Sequence, residues 1–219
     1  MLPNPLAAVI FDMDGLLLDT EKMWQAAIAE ACAGQGFTMV DHVHSSLVGA
    51  PKDLGDARLL AHFGAGFDLE AYHRDGSRHF QALAETRIDL RPGARGLLEL
   101  LRARGTPAAV ATSTARPAAE RHLAHAGVID FFAAVVTRTD VTHGKPHPES
   151  FLKAAAALGV QPCHCLALED SHNGVRAAAA AGMATIMIPD MLPATDEMRT
   201  LCAGILPSLS NVAAMIDAG

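Results

Sequence analysis

The sequence predicts an α/β fold, in which a mostly parallel β-sheet is flanked by helices and interrupted by one helical insertion. Three observations lead to this prediction. Short, continuously apolar segments recur along the chain, several helical patterns between them end at a glycine, and one interval is far too long for a simple crossover. Continuous apolar segments of this length are typical of strands that are buried on both faces of a parallel sheet.

Five apolar segments are predicted to be strands, and the first is followed directly by an acidic residue. They are Leu6–Phe11, Pro107–Ala111, Phe132–Val136, His164–Leu168 and Ala184–Ile188. Helical patterns accompany them at Ala94–Arg104, Ala118–Ala126, Pro148–Leu158 and Asn173–Ala181. Each of these helical patterns is followed by a glycine, which commonly ends a helix. The alternation of strand and helix predicts a Rossmann-like, mostly parallel sheet.

The interval between the first two predicted strands breaks this alternation. A crossover between parallel strands needs only about a dozen residues or a few more, whereas this interval contains three helical patterns, at Glu21–Ala33, Lys52–Phe63 and Asp68–Thr86. We therefore expect residues 1–18 and 89–219 to form an α/β core. Residues 19–88 are expected to form an inserted helical domain.

The composition restricts the class of protein and its partners. Half of the 219 residues are hydrophobic, which excludes intrinsic disorder, and the formal net charge of -7 argues against nucleic acid as a partner. The four cysteines form no C-x-x-C pair, which favours reduced thiols. The first apolar segment is too short for a signal peptide or a membrane span, so we expect a soluble, cytoplasmic protein with no membrane partner.

Acidic and hydroxyl side chains follow the predicted strands, at the edge where open α/β sheets bind ligands. These residues are Asp12 and Asp14 after the first strand, Thr112, Ser113 and Thr114 after the second, Lys145 before the fourth, and Glu169 and Asp170 after the fourth. Each short motif alone is also compatible with a turn or a helix cap. Their joint placement at successive strand ends favours a single functional site.

The chemistry of these residues points to phosphoryl transfer. Carboxylates that lie close together repel one another unless a cation sits among them, and a set of oxygen ligands favours Mg²⁺ over zinc. Mg²⁺ would in turn attract a phosphate dianion. Thr112 can donate its hydroxyl to a phosphoryl oxygen, and Lys145 can neutralise its charge. Phosphoryl transfer with a carboxylate nucleophile is therefore the expected chemistry.

Four segments resemble the motifs of the haloacid dehalogenase-like hydrolases. They are Asp12–Leu16, Thr112–Thr114, Gly144–Pro148 and Leu168–Gly174. The last segment and the helical insertion resemble the β-phosphoglucomutase-like branch of sugar-phosphate phosphatases and mutases. The resemblance covers nearly the whole chain. It implies that the insertion at 19–88 is a cap domain that closes over the site and excludes bulk water.

The resemblance also implies a role for each residue of the site. Asp12 would attack phosphorus and form an aspartyl-phosphate, and Asp14 would protonate the leaving alcohol and then activate water. Thr112 and Lys145 would bind the transferring phosphoryl group, and the turn of Ser113 and Thr114 would add backbone donors.

The implied cofactor is Mg²⁺. Its ligands would be the carboxylate of Asp12, the backbone carbonyl of Asp14, and Asp170, with Glu169 beside it.

Two residues bear on the choice between hydrolysis and isomerisation. The dehalogenases and the phosphonate-cleaving members of the superfamily lack an acid at the position of Asp14, so its presence favours phosphate esters. The mutases carry a histidine where this chain has Trp24, and the loss of that histidine favours a phosphatase. A β-phosphoglucomutase-like mutase is the alternative. Two further, remote alternatives are a phospho-switch receiver domain and an idle, non-enzymatic binding protein.

Other residues of the insertion are candidates for substrate contact. Lys52, in the segment 49–52, resembles a cap loop that touches substrate, and a solvated helix start is the competing interpretation. Trp24 is expected either in the core of the cap or in the pocket wall. His42, His44 and His172 are left open as substrate contacts, with exposed loop positions expected for the first two. His122 and His125, three residues apart, are expected on an exposed helix face.

Overall fold

The computed structural model describes residues 2–48, 50, 52–86 and 88–218. They divide into two units: one joins the chain up to Asp19 to the chain from Asp89 onward, and the other is Thr20–Ile88. Asp19, which the sequence places in the insertion, clusters with the first unit, where its N–H donates to the carbonyl of Asp89 (2.9 Å). The residues that flank the second unit, Asp19 and Asp89, are therefore joined by a backbone hydrogen bond.

The described residues of the first unit form a sheet of six strands in the order β3-β2-β1-β4-β5-β6, and every neighbouring pair is parallel. The strands are β1 (Ala8–Phe11), β2 (Ala108–Ala111), β3 (Ala134–Val136), β4 (Cys165–Glu169), β5 (Ala184–Met187) and β6 (Gly204–Ile205). The prediction of an α/β, Rossmann-like fold is confirmed. The strand β6 was not predicted, because two residues give no periodicity to detect.

The helices of this unit are α5 (Ala94–Ala103), α6 (Arg116–His125), α7 (Glu149–Leu158), α8 (His172–Ala180), α9 (Asp196–Leu201) and α10 (Leu209–Asp217). Short 3-10 helices occur at Ile129–Phe131, Arg138–Asp140 and Pro162–His164. The four residues of β1 are fully buried, as are the first four of β4. Their continuous apolar character follows from this burial on both faces. The helices α9 and α10 were not predicted.

In the described part of the second unit there are four helices, α1 (Thr20–Ala33), α2 (Asp41–Leu47), α3 (Lys52–Phe63) and α4 (Leu69–Thr86). Its core is a cluster of aromatic and aliphatic side chains that includes Leu59, Phe67 and Tyr72. The ring of Phe67 stacks on Phe63 at a centroid distance of 4.7 Å. Burial of aromatic side chains supplies a large hydrophobic stabilisation for a unit of this size.

Three local predictions were wrong. β4 ends at Glu169, one residue later than the sequence pattern indicates, so the acidic residue belongs to the strand. His122 is only 3% exposed, although an exposed helix face was expected, whereas its neighbour His125 is exposed. His44 lies on α2 and is buried, which lowers the pKa of its imidazole. Helical spacing alone does not reveal which polar face a neighbouring element covers.

Gly93, at the start of α5, lies close to Ser210 and provides a test of how α5 packs. Gly93 has φ of +85°, and a Cβ there would lie 2.3 Å from the backbone nitrogen of Ser210. Gly93→Ala should lower the free energy of unfolding by at least about 2 kcal/mol, because it combines left-handed strain with a backbone clash. Thermal or urea unfolding measures the effect.

Gly96, in the same helix, is the matched control. It is exposed, and nothing lies within 4 Å of the position that its Cβ would take. Gly96→Ala should raise stability by about 0.5–1 kcal/mol through helix propensity. Equal effects of the two substitutions would contradict the packing of α5 against Ser210.

Candidate active site

The sheet order brings the predicted site residues together. β1 and β4 are neighbours in the sheet but not in sequence, and the strand order reverses between them, which is where such folds bind ligands. Phe11 pairs with Leu168 across these strands, and the N–H of Asp12 donates to the carbonyl of Leu168 (2.9 Å). Asp12 and Glu169, which come next in the two strands, therefore lie side by side.

Lys145 links these two carboxylates. Its Nζ lies 2.5 Å from Oδ1 of Asp12 and 2.6 Å from Oε1 of Glu169. The lysine side chain is 6% exposed and that of Glu169 is fully buried. Hydrogen bonds between ionised groups in such a dry environment are strong and fix the three groups relative to one another.

The second carboxylate oxygen of Glu169 is held by the start of α8. Oε2 accepts from the backbone N–H groups of Asp170 and Ser171 and from the Ser171 hydroxyl, each at 3.0 Å. Negative charge at a helix N-terminus is also favoured by the helix dipole. Glu169 is thus an oriented anion whose other oxygen, Oε1, accepts from Lys145.

Gly174 permits this approach of helix and carboxylate. A Cβ at this position would lie 1.7 Å from Oε1 of Glu169 and 1.9 Å from its Cδ. The N–H of Gly174 donates instead to the hydroxyl of Ser171 (3.1 Å), which caps the helix. Sequence reasoning gave no separate role to Ser171 or Gly174. The signal was a glycine inside the first turn of a helix, where it is otherwise unfavourable.

Asp14 is held by the loop after β2. Its Oδ2 accepts from the hydroxyl of Thr114 (2.7 Å) and, at a longer distance, from that of Thr112 (3.4 Å). The N–H of Thr114 donates to Oγ1 of Thr112 (3.0 Å). This backbone donor was expected to face a substrate, but here it orients the threonine. The contact of Thr114 with Asp14 was not predicted.

Burial and like charge dominate the electrostatics of Asp12. Burial raises the pKa of its carboxyl, the carboxylates of Glu169 and Asp14 raise it further, and Lys145 lowers it without cancelling the shift. Burial also opposes the charged form of Lys145, but the attraction of Asp12 and Glu169 outweighs it and raises the pKa of the amine. Burial therefore has the largest effect, and Lys145 alone does not restore the ordinary pKa of Asp12.

The donor set fits a hard divalent cation. Asp12, Glu169 and Asp170 each offer a carboxylate oxygen within 4.8 Å of the others. Oxygen ligands of this kind suit Mg²⁺, and a cation beside Asp12 would favour its ionised form, which burial disfavours. The oxygens of Glu169 already accept four hydrogen bonds, from Lys145, from the N–H of Asp170 and from the N–H and hydroxyl of Ser171.

The sequence indicates three further candidates for substrate contact, namely Ser113, His172 and Lys52. Ser113 is exposed on the loop after β2, and Nε2 of His172 lies 2.9 Å from the carbonyl oxygen of Pro193. Lys52 belongs to the helical unit, where its Nζ pairs with Asp56 at 2.5 Å. In the predicted loop before it, residues 49 and 51 lie outside the described residues.

Trp24 also belongs to the helical unit. Its ring is 36% exposed and stacks on Phe80 at 4.3 Å with an interplanar angle of 12°. One face of the indole is therefore packed, while part of the ring faces solvent. His42 is exposed on α2, next to the buried His44.

Comparisons with known proteins agree with this geometry. A family model described as haloacid dehalogenase-like hydrolase matches residues 6–182. A Drosophila melanogaster protein named "Probable pseudouridine-5'-phosphatase" is 35% identical over 92% of this chain and 89% of its own length. Hexitol phosphatase B of Escherichia coli K12 is 32% identical over 97% of this chain and 96% of its own.

A solved structure shows the same fold. A Thermotoga maritima protein provisionally assigned as a β-phosphoglucomutase superimposes with a TM-score of 0.83 and 26% identity, over 96% of this chain and 98% of its own. Among the described residues, no helix is long and apolar enough to cross a membrane. The expectation of an enzyme that hydrolyses phosphoric monoesters is confirmed. The chain belongs to the haloacid dehalogenase-like hydrolases, in the β-phosphoglucomutase-like branch.

Proposed function

We propose that this protein is a Mg²⁺-dependent phosphatase that hydrolyses a small phosphomonoester through an aspartyl-phosphate on Asp12. The observation that carries the proposal is the buried contact of Lys145 with Asp12 and Glu169, next to a second acid, Asp14, held by Thr114. A nucleophile, its neutralising cation and a separate acid–base group thus lie at the ligand-binding edge of one sheet.

The bound phosphate is held by groups of the α/β unit. Lys145 neutralises part of its charge, and the hydroxyl of Thr112 donates to a phosphoryl oxygen. The carboxylates of Asp12 and Asp170 and the backbone carbonyl of Asp14 would hold Mg²⁺, with Glu169 beside them. When bound, the metal ion supplies positive charge that screens the phosphate dianion from the carboxylates.

The first half-reaction transfers the phosphoryl group to the protein. A carboxylate oxygen of Asp12 forms a bond to phosphorus, and the bond from phosphorus to the ester oxygen breaks. The leaving alcohol takes a proton from Asp14, which is oriented by the hydroxyl of Thr114. Lys145 remains on Asp12 and Glu169 and limits the build-up of negative charge during the attack.

The second half-reaction releases phosphate. Asp14, now ionised, takes a proton from a water molecule, and the water oxygen attacks phosphorus. The bond between phosphorus and the Asp12 oxygen breaks, which restores the carboxylate and frees inorganic phosphate. Asp14 ends protonated, as it began, so one water molecule is consumed per ester.

The substrate belongs to the small phosphorylated metabolites. Relatives named for pseudouridine 5'-phosphate and hexitol phosphates support this class. Residues 19–88 act in this proposal as the cap domain, and Lys52 and Trp24 are the candidate substrate contacts on it. The protein would act in the cytoplasm, without a nucleic-acid or membrane partner.

The experiment that tests this proposal separates hydrolysis from isomerisation. The enzyme is incubated with Mg²⁺, β-glucose 1-phosphate and a trace of glucose 1,6-bisphosphate, and phosphorus NMR follows the products. We expect inorganic phosphate without glucose 6-phosphate, because Trp24 stands where the mutases carry a histidine. Excess EDTA should stop the reaction, and Mg²⁺ should restore it. Glucose 6-phosphate without free phosphate would establish the mutase alternative.

If β-glucose 1-phosphate is not a substrate, p-nitrophenyl phosphate and a panel of sugar and polyol phosphates replace it. A receiver domain or an idle binding protein would turn over none of them. Failure of the whole panel with Mg²⁺ would contradict the proposed function.

Asp12→Asn should abolish turnover, because an amide is neither a nucleophile nor an anionic ligand. We expect kcat to fall by about three orders of magnitude or more, as for other nucleophile removals. Asp196→Asn is the control, since that side chain is fully exposed on α9 of the same unit. Retention of more than about 1% of kcat in Asp12→Asn, with the fold intact by circular dichroism, would remove Asp12 from the mechanism.

Asp14→Asn should separate the two half-reactions. The amide oxygen can still accept from Thr114, but proton transfer, worth about 10²–10⁴-fold, is lost. An activated ester such as p-nitrophenyl phosphate needs little acid help, so phosphorylation of Asp12 should be slowed less for it than for a sugar phosphate. Hydrolysis still lacks its base, so phosphorylated protein should accumulate and appear by mass spectrometry after an acid quench. Parental kcat on a sugar phosphate would show that Asp14 is only a turn residue.

A further inference from the structure

The loop before α7 places two imidazoles and a carboxylate on the outside of the α/β unit. His143, His147 and Glu149 each offer a ligand atom, and all three atoms lie within 4.8 Å of one another. Both histidines are exposed and Glu149 is half-buried. Lys145 lies between them in sequence, but its side chain is turned into the buried site. The outer cluster is therefore not used by the mechanism above.

The backbone of the loop already holds this cluster together. Oε2 of Glu149 accepts from the N–H of His143 (2.9 Å) and lies 3.4 Å from Nδ1 of the same residue. The N–H of Glu149 donates to Nδ1 of His147 (3.3 Å). The two imidazole centroids are 4.7 Å apart. Little side-chain freedom remains to be lost when a ligand binds, which favours binding.

The distances fit a zinc-type ion. With bonds of about 2.0–2.1 Å to nitrogen or oxygen, two ligands of a tetrahedral zinc ion lie about 3.3 Å apart. The separation of 3.4 Å between Nδ1 of His143 and Oε2 of Glu149 is close to this value. Imidazole nitrogens suit Zn²⁺, Cu²⁺ or Ni²⁺ and disfavour Mg²⁺. The chemistry of this cluster is therefore different from that of the buried carboxylates.

The two carboxylate oxygens of Glu149 have different neighbours, because Lys153 pairs with Oε1. Oε1 of Glu149 pairs with Lys153 (2.8 Å) and accepts from the N–H of Thr142 (3.0 Å). Oε2 has its backbone donor but no ammonium partner among the described contacts. The ion would therefore meet an anionic oxygen and two exposed imidazoles, with water completing its coordination.

We propose that His143, His147 and Glu149 bind one divalent ion of the zinc type, at a site separate from the Mg²⁺ site. The ion would tie residues 143 and 149 together across the loop that carries Lys145. This inference does not depend on the proposed reaction, because it concerns side chains outside the phosphate site.

The test is a zinc titration of the full chain in excess Mg²⁺, followed by calorimetry. The parent is compared with the double variant His143→Ala, His147→Ala and with Glu149→Gln. His125→Ala is the matched control, since His125 is also exposed on the same unit. We expect the parent and His125→Ala to bind one more zinc ion than the double variant. Glu149→Gln should weaken that site at least about tenfold.

Thermal unfolding and NMR provide independent measurements. Zinc at about 100 times its Kd should raise the melting temperature of the parent by about 5 °C more than that of the double variant. In the parent itself, the ring signals of His143 and His147 should shift with zinc while those of His125 do not, which needs no variant to fold. Equal zinc stoichiometry in parent and double variant, or unshifted signals of both histidines, would overturn the proposal.

Discussion

The buried ammonium of Lys145 is the interaction on which the rest of the site depends. Asp12 and Glu169 come from neighbouring strands and would place two carboxylates side by side in a dry environment, where like charges repel strongly. Lys145 contacts both within 2.6 Å. Removal of one partner from such a buried group typically costs about 3–5 kcal/mol, because the charge that remains is left uncompensated. The loop that carries Lys145 is thus as necessary as the strands.

These charges are not explained by stability alone. Well-packed hydrophobic residues commonly stabilise a core as much as a buried ion pair does. Glu169 is nevertheless fully buried and fully hydrogen-bonded, and Gly174 leaves room for it where any side chain would collide. Burial of a carboxylate is energetically unfavourable, and glycine is a poor helix former. Because both are present here, we infer that the position of Lys145 matters for chemistry rather than for stability.

The parts of the structure that sequence predicts are those with strong local signals. Uninterrupted apolar residues indicate buried parallel strands, and the acids that follow these strands must then lie at one edge of the sheet. This reasoning placed Asp12 and Asp170 correctly at strand ends. It failed for β6 and for the short helix α2, because a few residues give no period. It also failed for His122, which is buried although His125 on the same helix is exposed.

Contacts between side chains were the hardest to anticipate. Nothing in the spacing of Thr114 shows that its hydroxyl donates to Asp14 rather than to a ligand. Likewise, the sequence motif that contains Glu169 and Asp170 does not show which of the two carboxylates accepts hydrogen bonds from backbone N–H groups. These details follow from hydrogen-bond satisfaction in the folded state, in which most buried donors and acceptors find a partner.

The loop around Lys145 shows how one short segment can serve two kinds of cation chemistry. In an extended chain, residues two apart point to the same side, so His143, Lys145 and His147 would share one face. Here a turn, closed by the N–H of His147 on the carbonyl of Gly144 (3.0 Å), breaks that alternation. Lys145 is sent into the carboxylate cluster, while the two imidazoles remain outside with Glu149. Because the inner face offers carboxylate oxygens and the outer face offers imidazole nitrogens beside Glu149, the two proposed sites would select different metal ions.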